Sequence, residues 1–69
     1  MLKKIMARRI AVQNIGVASK NGQIEITNTK RGPVSLKRLA GNYYMIYRDD
    51  WAYYTGKRVG AIDWLIENS

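Results

Sequence analysis

The chain of 69 residues contains no cysteine and no histidine. Without cysteine there is no disulfide to staple a small domain, and the redox compartment is left unconstrained. Without both residues the common zinc and transition-metal ligand sets are absent, as are the Ser-His and Cys-His nucleophile pairs. Phenylalanine is also absent, so five tyrosines and two tryptophans must supply the aromatic part of any core. One proline and no low-complexity run leave no sign of a linker or a second domain, and residues 1–69 read as one small domain. No run approaches the roughly 20 apolar residues of a transmembrane helix. The basic start, Met1 to Arg9, is interrupted by arginines before a signal-peptide apolar core can form. The expectation is a cytoplasmic protein, with a membrane partner disfavoured and no cofactor implied.

Acidic residues are the other scarcity: five, against twelve lysines and arginines. Their distribution is more telling than their number. From Met1 to Arg38 there are nine cations and the single anion Glu25, whereas from Leu39 to Ser69 three cations face four anions. A one-sided positive field points to a polyanionic partner, DNA or RNA in the first instance. Catalysis is hard to build from what remains. Asp49 and Asp50 are adjacent in a turn, and Asp63 and Glu67 stand i, i+4 on one helix face, which is the ordinary pattern of a solvated surface. A non-enzymatic role is expected.

A chain this short buries only about 60% of the surface its unfolded form exposes. Either its 46% apolar content packs closely or a second copy or partner covers part of it, so a homodimer is an expectation. Leu2 to Gln13 carries Leu2, Ile5, Met6 and Ile10 at roughly helical spacing, and helix is favoured there over a strand from Arg9 to Asn14, with Gly16 beyond its end. Asn21-Gly22 then reads as a type I′ hairpin turn between Ile15–Lys20 and Gln23–Asn28. The register supports it, because Ile15, Val17, Ile24 and Ile26 fall on one face and Lys20, Glu25 and Thr27 on the other. Thr29 to Gly32 is a basic loop. Pro33 opens a short helix with Leu36, Leu39 and Ala40 inward and Gly41-Asn42 as its stop. Tyr43–Tyr47 and Trp51–Thr55 form a second hairpin, and Lys57 to Asn68 a final helix with Thr55 as N-cap. The predicted class is α+β: a small antiparallel sheet of two hairpins with two or three short helices on one face.

Three features carry the functional expectation. The pairs Arg8–Arg9, Lys30–Arg31 and Lys37–Arg38 come from different segments and are candidates to converge on a phosphodiester backbone. Lys57 and Arg58 at the start of the last helix oppose its dipole, an arrangement that a bound phosphate would reverse. The segment is no Walker A loop, since Trp51 stands at the position of its first glycine and Arg58 in place of its Ser or Thr. Third, pairing Tyr47 with Ala52 places Tyr44, Ile46 and Tyr53 on one face and Tyr43, Met45 and Tyr54 on the other. Both faces are aromatic, so one must meet the core and the other must be covered or used. Tyr43, Tyr47 and Trp51 are the candidates for base stacking, next to Arg48. The tail from Tyr43 to Asn68 resembles, in pattern and charge, small sheet-plus-helix DNA-binding modules such as the arm-binding domains of phage-type integrases. The sequence therefore reads as a nucleic-acid-binding accessory or regulatory protein of a cell, phage or mobile element. The alternative is a small protein-binding module that inhibits or recruits a host enzyme through its aromatic hairpin, since Tyr, Trp and Arg are typical interface anchors.

Overall fold

A computed structural model describes residues 4–69; Leu2 and Lys3, at the start of the predicted first helix, lie outside them. The elements are α1 (Lys4–Asn21), β1 (Gln23–Thr29), β2 (Gly32–Ala40), β3 (Tyr43–Arg48), β4 (Trp51–Lys57) and α2 (Arg58–Glu67). The four strands form an antiparallel meander in the order β1-β2-β3-β4. Both helices pack on one face of it, α1 over β1 and β2, α2 over β3 and β4. The class is α+β, as expected, but with two helices and one continuous sheet.

The first helix corrects the first hairpin. Ile15 to Asn21 continues α1, so the helix runs 18 residues instead of stopping before Gly16. Its buried stripe is Ala7, Ala11, Ile15 and Ala18, at spacings of four, four and three. Asn21-Gly22 is the helix stop. Gly22 has φ +90°, and its N–H donates to the Ala18 carbonyl at 2.7 Å, which is the single-bond left-handed C-cap. A type I′ turn needs positive φ at both central residues, and Asn21 stays right-handed helical. The alternation that suggested a strand is broken in space: Ile15 is fully buried while Val17 is 45% exposed.

The second correction is β2. The predicted short helix after Pro33 is a strand, with Val34 and Leu36 buried at period two and Leu39 exposed. Pro33 is tolerated in this inner strand because the register shifts beside it, between Ile26 and Thr29, and no ladder position calls on its missing N–H. The predicted basic loop is a tight turn in which Thr29 Oγ1 donates to the Gly32 carbonyl at 2.7 Å and accepts the Arg31 N–H at 3.0 Å. Gly41-Asn42, expected to stop a helix, is instead the β2–β3 turn.

The β3–β4 hairpin is where it was expected, with Tyr47 opposite Ala52 and Asp49 at φ 51° in the turn. A bulge after Tyr47 then sets Tyr54, not Tyr53, opposite Ile46. This brings Tyr54 to the helix side, against expectation, while Tyr53 stays on that side as expected, packed on Trp64. The core comprises Ile15, Ile26, Val34, Leu36, Tyr44, Ile46, Ala61, Ile62 and Leu65 with the alanines of α1, and contains no buried polar or charged residue among the described residues. The final helix starts at Arg58 with Lys57 as its N-cap; Thr55 lies within β4, and no side chain caps the helix. Gly56 and Gly60 flank the Tyr54 ring, whose hydroxyl donates to the Lys57 carbonyl at 2.7 Å.

Candidate nucleic-acid interface

With both helices on one face, the other face of the sheet is left open. On β3 it presents Tyr43, Met45 and Tyr47, the alternate set to the buried Tyr44 and Ile46. Register fixes the neighbours of each. Met45 has Lys37 on one side and Thr55 on the other, and beyond Lys37 lies Gln23. Tyr43 pairs directly with Lys57. Tyr47 lies between Ser35 and Ala52, and beyond Ser35 lies Glu25. Tyr43 is 50% exposed, whereas Met45 and Tyr47 are more covered.

The cations of the open face itself are gathered at one end. At the Tyr43 end the open surface carries Lys37 and Lys57, with strands β2 and β4 about 10 Å apart. Arg38, Arg58 and Lys20 surround the rim there. The Arg38 guanidinium donates to the Gly41 carbonyl at 3.2 Å, and the Arg38 N–H donates to the Gly22 carbonyl at 3.0 Å, next to the end of α1 that bears Lys20. The Arg58 N–H donates to the Asn42 carbonyl at 2.9 Å, so Arg38 and Arg58 bracket the β2–β3 turn. At the Tyr47 end the open surface carries Glu25, and the rim holds the turn aspartates Asp49 and Asp50 together with Lys30, Arg31 and Arg48; Glu25, Ser35, Arg48 and Asp49 border one shallow depression there.

The predicted basic pairs therefore do not meet. Lys30–Arg31 and Lys37–Arg38 lie toward opposite ends of β2, and six residues at about 3.3 Å each separate Arg31 from Lys37 by about 20 Å. Within the second pair, strand alternation turns Lys37 to the open face and Arg38 to the helix side. Arg8 and Arg9 are on the exposed side of α1, with the sheet between them and the open face. Lys4, Arg8, Asp63 and Glu67 line a groove of about 440 Å³ between the helices, so that acidic pair faces cations of α1.

Arg48 and Arg31 have an architectural setting. Arg48 Nη1 donates to the Arg31 carbonyl at 2.5 Å and to the Pro33 carbonyl at 3.2 Å, while Nη2 donates to the Tyr53 hydroxyl at 2.8 Å. Both guanidinium groups lie over the Tyr53 ring, at 6.0 Å for Arg31 and 5.7 Å for Arg48, and that ring packs on Trp64 at 5.5 Å. Arg48 thus clamps the β1–β2 turn to the second hairpin instead of adjoining a tyrosine row. Trp51 is 67% exposed, but it pairs with Arg48 and does not share the row of Tyr43 and Tyr47. Lys57 and Arg58 do stand at the start of α2, with no acidic residue in its first turn.

Two residues of this surface escaped the sequence reading. Lys20 is a last-turn cation that becomes visible once α1 is extended to Asn21. Met45 shares a face with Tyr43 in the sequence pattern, but only the register makes it the centre of the row. Among the described residues no helix is long and apolar enough to cross a membrane. Comparison with protein-family models, with curated proteins and with solved structures returns no match for this chain.

Proposed function

We propose that the protein binds nucleic acid, through the Tyr43 end of its open sheet face, in a binding rather than a catalytic role. The observation that carries this reading is the arrangement of one exposed tyrosine, Tyr43, beside Lys57 and diagonal to Lys37, on a face that no helix covers. Lysines on the open face supply phosphate contacts and the ring supplies a π-surface, the two components of sequence-tolerant nucleic-acid binding. Lys20, Arg38 and Arg58 extend the positive rim. The cationic start of α2 adds a dipole of the same sign.

The regrouping of the cations lowers the expected salt sensitivity. Five cations at this end, at about 0.7 counterions per phosphate for a single strand, give a log–log slope no steeper than about −3.5. The test is the affinity for single-stranded DNA, RNA and duplex DNA between about 50 and 200 mM salt, the range in which such contacts are lost. Binding with a slope of about −1.5 to −3.5 supports the reading. Weak binding independent of salt refutes it.

A second reading has its own observation. α1 leaves Ile5, Met6, Ile10, Val12 and Val17 in solvent, with Ile5 76% exposed. A protein-binding or self-associating module would use this outer surface rather than the aromatic hairpin first expected to serve as its interface. The two readings occupy opposite sides of the molecule and are separable by substitution.

A further inference from the structure

We infer that the nucleic acid taken by this face is an unpaired strand, crossing the sheet at the level of Tyr43 with one base stacked on that ring and its phosphates held by Lys37 and Lys57. This rests on the nucleic-acid reading above and narrows its ligand class and its contacts.

Shape argues first. A duplex buries the faces of its bases in its own stack and offers only groove edges and phosphates, which an aromatic ring on a flat surface cannot stack upon. The major groove, about 12 Å wide, admits a helix or a two-stranded ribbon. The backbones of this four-stranded face alone span about 14 Å. Among the described residues no element projects from the open face to enter a groove: its row consists of strand residues, and both helices lie behind the sheet. An unpaired strand, in contrast, presents a base face to any exposed ring, and this is how single strands are commonly held.

Charge then selects the path. A strand running along β3 would pass from Tyr43 to Tyr47 and meet Glu25 on the open face with no further cation of that face, among the described residues, to hold its phosphates, since Arg31 and Arg48 of that end are drawn to the Tyr53 ring on the helix side. A strand crossing the sheet passes from Lys37 on β2 over Met45 and Tyr43 to Lys57 on β4. These two cations lie on either side of the ring, and the span of about 10 Å between β2 and β4 is within reach of a few nucleotides of a chain whose stacked repeat is about 3.4 Å. Tyr43 is the more exposed ring, and its direct cross-strand neighbour is a cation; Tyr47 is half-buried and sits in the row that ends in Glu25. The two tyrosines, equivalent in sequence, are therefore unequal: Tyr43 stacks and Tyr47 does not.

The experiment measures fluorescence anisotropy of the full chain with a labelled oligonucleotide of about ten unpaired nucleotides, within the usual site size of such surfaces, and with a duplex of similar length. The unpaired oligonucleotide is expected to bind at least about tenfold more tightly. Tyr43→Leu should weaken it roughly 5- to 150-fold, the equivalent of losing one stacked base. Tyr43→Phe should retain it, and Tyr47→Leu should change it by less than about twofold. Photocrosslinking of the unsubstituted protein to a halogenated-uracil oligonucleotide should map to Tyr43, a readout that needs no variant to fold. If the duplex binds as well as the single strand, or Tyr43→Leu is silent while Lys37→Gln and Lys57→Gln weaken both ligands, the unpaired-strand inference falls and nucleic-acid binding stands. If neither ligand binds, both fall. Concentration-dependent self-association that Tyr43→Leu abolishes would assign the face to a second copy and overturn the inference as well.

Discussion

Gly60 is the position at which helix propensity and packing make opposite predictions. It lies in the first turn of α2, and replacing glycine by alanine in a helix is worth up to about 1 kcal/mol in propensity. By that rule Gly60→Ala stabilises the protein. The structure predicts the reverse. A Cβ at Gly60 would overlap the Tyr54 hydroxyl and stand 2.5 Å from its Cζ and 2.8 Å from its Cε1. The ring cannot easily withdraw. Its hydroxyl is tied to the Lys57 carbonyl, and on the other side a Cβ at Gly56 would meet the same hydroxyl at 2.6 Å. Overpacking of this kind costs typically about 1–3 kcal/mol, and breaking the Tyr54–Lys57 bond adds about 0.5–1.5. Less the propensity gain, the net destabilisation is about 0.5–3.5 kcal/mol. In a domain of this size each kcal/mol lowers Tm by about 4–8 °C. Thermal and urea unfolding followed by circular dichroism would measure it. The decisive comparison is a double-mutant cycle with Tyr54→Val, which removes the ring. In that background Gly60→Ala should become stabilising, giving a coupling energy of opposite sign to the single effect. A Gly60→Ala protein as stable as the parent, or more so, would refute the argument that Tyr54 occupies the glycine's space.

Further outcomes follow from the same geometry. Gly22→Ala should destabilise by about 1 kcal/mol or more because φ is +90° there, while Asn21→Ala should be neutral or slightly stabilising; a hairpin turn would penalise both, and urea midpoints distinguish the cases. Leu36→Ala, at a fully buried site, should cost about 2–5 kcal/mol by the same measurement. Arg48→Met should cost about 1–2 kcal/mol by releasing the two carbonyls and the Tyr53 hydroxyl, yet leave oligonucleotide affinity within about twofold at a temperature where the fold persists. Lys57→Gln should reduce the log–log salt slope by about 0.7, whereas Arg9→Gln, on the far side of the sheet, should leave it unchanged. Val12→Ser with Val17→Ser should leave stability within about 0.5 kcal/mol; a change of oligomeric state on sedimentation would favour the protein-binding reading instead.

Local chemistry was legible wherever one conformation satisfied it alone. The Thr29–Gly32 turn, the β3–β4 hairpin with Tyr47 opposite Ala52, and the terminal helix were readable because their turn residues and β-rich or apolar spacing agree. Asn21-Gly22 was not, because a helix C-cap and a hairpin turn both want a glycine with positive φ. The apolar alternation of Ile15 and Val17 suited a strand as well as a helix. What decided between them was Ala7, Ala11, Ile15 and Ala18, a stripe that has value only when α2 and the sheet lie against it. Pro33 misled for a similar reason. Proline at the start of a helix is favoured locally, but Val34 and Leu36 had to reach the same side of the sheet as Ile26 and Ile46.

Composition alone set the sign of the surface and withheld thiolate, imidazole and disulfide from whatever the protein does. It also dictated that tyrosines would serve both as core and as surface. Which tyrosine does which, and which cations gather around it, was settled by strand register. Successive strand residues alternate between faces, so Lys37 parts from Arg38 and Tyr43 from Tyr44. A single bulged residue, Tyr53, reverses the assignment beyond it. Neighbours in sequence are thereby sent to opposite sides of the sheet, while Lys37, Tyr43 and Lys57, spread over twenty positions, are brought to one patch by hydrogen bonds between strands that no local pattern encodes.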